Sequence, residues 1–203
     1  MRHFSFRPTL TMRGRKFRGL RGFAGKPFHP PLTDIPVGGY VLGAVFDLIS
    51  FAGAGTAWSR EFYQAATFCF IGGALVSLGA ALTGFWDWLR STEPGNQARR
   101  TVNSHATIML SVTVLALADI GLRWLRYHDG ANPPSAILGL SLAVALAVAT
   151  GSTYGGTLVF DYGFNVETAG DSPVWHPSET DVLPGRHPAP SSDGSSPVKM
   201  VAP

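Results

Sequence analysis

Cysteine is almost absent. Cys69 is the one thiol in 203 residues, so no intrachain disulfide exists. Thiolate-rich zinc and iron–sulfur sites, which need several sulfurs, are excluded too. Set in an apolar run, Cys69 reads as a small buried or lipid-facing hydrophobe. Charge is also scarce: Asp, Glu, Lys and Arg make up 14% of the chain, against roughly 25% in a soluble domain. No acidic residue precedes Asp34. A phosphate-cradling Gly-rich loop, a nucleophile elbow and a nucleic-acid-binding module are all missing, so no soluble catalytic constellation is apparent. The basic start lacks the apolar stretch of a cleaved secretory signal, so none is expected.

What the chain has instead is oil, arranged in four runs. They extend from about Val37 to Trp58, Ala65 to Trp86, Thr101 to Trp124 and Ala136 to Phe160. Each is roughly 20 residues or more, enough to cross a hydrocarbon core of about 30 Å as a helix. Helices are the expected form because lipid offers no partner for unpaired backbone groups. Asp34 and Pro36 suggest a capped start for the first span. Aromatic residues gather at the ends, with Trp58, Phe62, Tyr63, Trp124 and Tyr127 at one level and Trp86, Trp88, Phe160 and Tyr162 at the other. Such belts mark membrane–water interfaces.

The fold class expected is therefore an all-α, integral membrane four-helix bundle with disordered or partner-bound N- and C-terminal tails. A basic arm covers residues 1–33, the transmembrane domain 34–165, and a Pro/Ser/Gly-rich tail 166–203. Of the 16 Lys and Arg residues, only Arg60, Arg123 and Arg126 fall on the side opposite the arm. The positive-inside rule then places both termini in the cytoplasm. The arm suits anionic lipid headgroups, and the tail suits other membrane subunits. Nucleic acid is not an expected partner.

Small residues recur at helical spacing: Gly139, Ala143, Ala147, Gly151 and Gly155 in the fourth span, Gly73, Ser77 and Ala81 or Ala80 and Gly84 in the second, Gly39 and Gly43 in the first. These stripes permit the close backbone approach by which membrane helices associate, and predict a tight bundle. Ionisable residues at membrane depth are few, and each is a functional candidate. His29, Asp34, Asp87, His105 and Asp161 map near the cytoplasmic interface, where they suggest a divalent-metal site; His29 and His105 alone suggest axial ligands to a haem b. The simpler reading makes Asp34 a cap, pairs Asp87 with Arg90, and lets His105 bond a neighbouring helix. Asp47 and Asp119, in the outer half, either pair with Arg123 or each other, or belong to a proton path. No Lys or Arg is placed deep in the core to mark a substrate route.

Four motifs resemble, in order, those of the bacterial membrane protein family catalogued as domain of unknown function 2231. They are the stretch from Gly25 to Gly38 with its His29-Pro30-Pro31-Leu32, Thr83-Gly84-Phe85-Trp86-Asp87, Arg99-Arg100 with His105, and Gly155-Gly156-Thr157-Leu158-Val159-Phe160-Asp161-Tyr162-Gly163. The likeness spans about residues 25–165. It implies a bacterial cytoplasmic membrane, four helices and no settled activity. Lys26 stands where the family usually has its first His, which halves any two-histidine set built on that opening. Some relatives are joined to Rieske-type domains, which hints at electron transfer, although this chain has no cysteine pair for such a cluster. The leading expectation is a non-catalytic accessory or anchoring subunit of a larger, electron-transfer membrane complex. The alternatives are a haem- or metal-binding redox protein using His29 and His105, and a small proton-coupled carrier.

Overall fold

The computed structural model describes residues 19–20, 27–91 and 94–164. Most of the expected basic arm and the tail from 166 lie outside the described residues. Within them the chain forms four helices: α1 (His29–Ala52), α2 (Ser59–Ser91), α3 (Gln97–Arg126) and α4 (Ser135–Phe160). Even α1, at 24 residues, is about 36 Å long at 1.5 Å per residue, more than the hydrocarbon thickness.

α1 starts earlier than expected. Asp34 is not its cap; Phe28 holds the capping position, prolines occupy the first turn, and Pro36 lies inside the helix. Pro30 and Pro31 bring a helix-compatible φ and lack only N–H groups that would be orphaned at a helix start. That signal outweighs the capping carboxylate five residues later. Asp34 is exposed instead. α3 does carry a side-chain cap, since Asn96 accepts the Arg99 amide at 2.7 Å.

The helices pack as a closed ring, α1 on α2, α2 on α3, α3 on α4 and α4 back on α1. Tyr40, Phe70, Val112, Ala116, Val144 and Val148 form the buried centre. The α1–α2 approach is close because Gly39 meets backbone: a Cβ there would lie 3.0 Å from the Cys69 carbonyl oxygen and 3.4 Å from Gly73 Cα. The α4 stripe is used at one end only. Gly151 sits under Met109 and Ile108, whereas Gly139 has nothing nearby. At the tight α1–α2 connection, Ser50 Oγ donates to Ser59 O at 2.6 Å and Ser59 Oγ donates to Ser50 O at 2.8 Å. Ser59 Oγ also reaches Ala131 O at 3.1 Å, which ties in the α3–α4 loop.

All four helices are long and apolar enough to span a membrane, with mean hydropathy of 1.7 to 1.9 in their best windows. Only 22 to 33% of those windows is buried inside the bundle. Phe68, Leu75, Leu82, Leu125 and Leu146 stand with two-thirds or more of their surface outside. In water such a surface would be one large apolar patch; in a bilayer it is the ordinary lipid-facing side.

Candidate functional site

Polar side chains collect at the two ends of the bundle. The first group lies one to two turns from the end that bears the α1–α2 and α3–α4 connections. Its centre is Arg123 of α3, buried to 2% exposure beside Asp47 and Asp119 at 0%. Asp119 and Arg123 are four residues apart and share a helix face. Arg123 Nε donates to Asp119 Oδ2 at 2.9 Å. Nη1 donates to Asp47 Oδ1 of α1 at 3.1 Å and to Thr67 Oγ1 of α2 at 3.2 Å. Nη2 donates to Asp47 Oδ2 and to Ser141 Oγ of α4, the latter at 2.9 Å. All five guanidinium protons are therefore used, and one side chain binds all four helices. The Tyr63 and Phe70 rings flank the guanidinium, each 5.1 Å from its carbon. Such contacts add cation–π attraction in a desolvated site.

Here the structure corrects the sequence reading in one respect. Its position in the sequence makes Arg123 a charge at the outer interface, with no cation expected deep in the core; the fold makes it a buried core residue. The pairing of Asp47 and Asp119 with Arg123 is the arrangement found. The clue available in sequence was the Asp119–Arg123 spacing of one turn inside an apolar helix.

The second group lies at the opposite end and is built twice, once in each hairpin. His29 of α1 rests on α2 where Gly84 leaves room, since a Cβ there would lie 2.7 Å from the ring. Its Nδ1 is 2.9 Å from Ala80 O. His105 of α3 rests on α4 over Gly155, where a Cβ would lie 3.2 Å from the ring, and its Nδ1 is 2.8 Å from Gly151 O. In both hairpins the histidine covers a glycine and bonds the carbonyl one turn before it. A carbonyl only accepts, so each Nδ1 carries a proton, and in the neutral ring each Nε2 then carries the lone pair.

The other residues of the expected five-member metal set do not join them. Asp34 and Asp161 are exposed. Asp87 is buried at 2% and accepts the Leu20 amide at 3.0 Å, so the segment before α1 returns to the end of α2. Arg90, expected to pair with Asp87, has its guanidinium carbon 5.0 Å from the Trp86 ring centre. Among the described residues, no group of three or more His, Cys, Asp and Glu stands close enough to hold a metal ion. The candidate ligands at this end thus reduce to His29 and His105. The glycine seats under them escaped sequence reasoning because they depend on interhelical register.

A family profile described as "Predicted membrane protein (DUF2231)" matches residues 25–168, most of the chain and all four helices. The protein belongs to the DUF2231 family. No curated protein and no solved structure matches it. The DUF2231 match covers both polar groups, so each belongs to the family region and not to an appended segment. It also agrees with the resemblance drawn from the four motifs.

Proposed function

We propose that the chain is an accessory subunit of an electron-transfer membrane complex, in which His29 and His105 would hold a haem-type iron through their Nε2 atoms. One observation carries this reading: two hairpins present histidines of the same tautomer, each Nδ1–H anchored on a backbone carbonyl. Metal-ligating histidines commonly have that arrangement, because the second bond fixes the ring and raises the basicity of the ligating nitrogen. Among the described residues neither Nε2 has a hydrogen-bond partner. A haem held there would supply one-electron transfer. The protein's own part is then to orient two rings and keep them dehydrated. The basic arm and the cytoplasmic placement of both tails belong to this proposal, as an anionic-lipid contact and a docking region for other subunits.

A second reading, a small proton-coupled carrier, rests on Asp47 and Asp119. The saturation of Arg123 speaks against it, since no free cation is left there to receive a substrate.

The deciding experiment is a reduced-minus-oxidised visible spectrum of the full chain purified in mild detergent from haem-replete cells. A haem absorption band, lost in both His29→Ala and His105→Ala while the protein remains folded, is the expected result. A colourless, iron-free preparation that cannot be reconstituted with haem would overturn the ligand assignment. Co-purifying subunits would support the accessory role; a lone monomer under the mildest extraction would contradict it.

A further inference from the structure

The Asp47–Arg123–Asp119 group does not balance as two carboxylates and one guanidinium. With every side chain ionised it carries one net negative charge, inside a bundle at membrane depth. Four elements surround it. α1 contributes Asp47, α2 the hydroxyls of Thr67 and Tyr63, α3 Asp119 and Arg123, and α4 only the neutral Ser141. None of these supplies a second positive charge.

The two carboxylates are unequally served. Asp47 receives both Nη groups of Arg123 and the Ser141 hydroxyl. Asp119 receives Nε on Oδ2 alone, and its Oδ1 is fully buried with no hydrogen-bond partner. Tyr63 Oη is likewise buried and unpartnered, although the Tyr63 ring lies against the same guanidinium. An orphaned carboxylate oxygen in such a place costs more as an anion than as a neutral hydroxyl, because the anion leaves a buried charge as well as a hydrogen bond unpaired. A buried charge without its partner is usually removed by binding a proton.

We infer that Asp119 is a proton-binding site: its Oδ1 holds one dissociable proton, which makes the four-helix junction electrically neutral. In this step a hydronium ion at the adjacent membrane surface gives up one O–H bond and leaves as water. Its proton forms one O–H bond on the Asp119 carboxylate, changing the net charge of the group from −1 to 0. Both Asp47 oxygens already face donors, so the unpartnered oxygen of the group is Asp119 Oδ1. Asp119 lies about two turns from the end of α3, roughly 10 Å of helix from that surface. This inference is independent of the histidine pair at the other end.

The test is infrared spectroscopy of the full chain in lipid nanodiscs at neutral pH, reading the carbonyl stretch of protonated carboxylic acid and its shift in D2O. A protonated-carboxyl band in the wild type, absent from Asp119→Asn and retained in the Asp87→Asn control, is expected. Asp47→Asn discriminates further. With one carboxylate removed, Asp119 becomes the sole counter-ion to Arg123, so the band should disappear there as well. A wild-type spectrum without the band would overturn the assignment, and so would a band that survives Asp119→Asn. A band that appears only when sodium is withdrawn would also overturn it, by showing a metal cation in the proton's place. Absence of the band from the wild type overturns the assignment whether or not a variant folds.

Discussion

Truncating Asp47 and truncating Asp119 should have unequal consequences. Asp47→Ala removes both Nη contacts of Arg123 and the acceptor of Ser141. Three charge-assisted bonds at about 1.5–3 kcal/mol each would sum to roughly 5–9 kcal/mol. The real cost is smaller, because Asp119 ionises in response and remains as a counter-ion to Arg123. Breaking a buried pair costs about 3–5 kcal/mol. Unfolded helices still immersed in detergent also find other polar partners, which favours the lower end. Asp119→Ala loses one bond to Nε and leaves the Asp47–Arg123 pair intact, for about 1.5–3 kcal/mol. The assay is reversible unfolding in mixed micelles with rising SDS fraction, followed by circular dichroism. Asp47→Ala should be the more destabilised of the two, and the double variant should lose more than the sum of the singles because Arg123 is then stranded. Equal losses below about 1 kcal/mol, within the range of exposed ion pairs, would refute the view that this group clamps the bundle.

Other outcomes follow from individual contacts. Gly39→Ala should cost up to about 2 kcal/mol in the same assay, because overpacking against the fixed Cys69 carbonyl outweighs the roughly 1 kcal/mol gained in helix propensity. Gly139→Ala, with open space around it, should be neutral or stabilising by up to about 1 kcal/mol. Tyr63→Phe removes a buried hydroxyl that has no partner and should be neutral or slightly stabilising; a loss above about 1 kcal/mol would mean that the hydroxyl is satisfied by bound water. Gly84→Ala should unseat His29, read as a change in the NMR shifts of that ring while His105 keeps its own.

The architecture was legible because unpaired backbone groups have no partner in lipid; α2, α3 and α4 contain the second, third and fourth expected spans whole, whereas α1 ends at Ala52, six residues short of the expected Trp58. The first helix boundary was less so. Asp34 and Pro36 carried a plausible cap signal, and His29-Pro30-Pro31 started the helix earlier. Arg123 illustrates a subtler gap. By position it belongs to the aromatic girdle near the end of a span. Only the fold shows that Asp47, 76 residues away, turns it inward. Asp34, Asp87 and Asp161 sat at the right depth for a shared site, but depth says nothing about azimuth around a helix. The two histidines were visible as candidates. Their glycine seats and common tautomer required the register between α1 and α2 and between α3 and α4.

The most direct measurement is site-specific labelling of single cysteines in a Cys69→Ser background, using a membrane-impermeant maleimide on intact cells. Cysteines at Thr56 and Asp129 should react from outside, and a cysteine at Gly95 only after the membrane is opened. Reaction of all three from the same side would mean that the helices do not cross the bilayer four times, and the two polar ends described here would not lie at opposite faces of it.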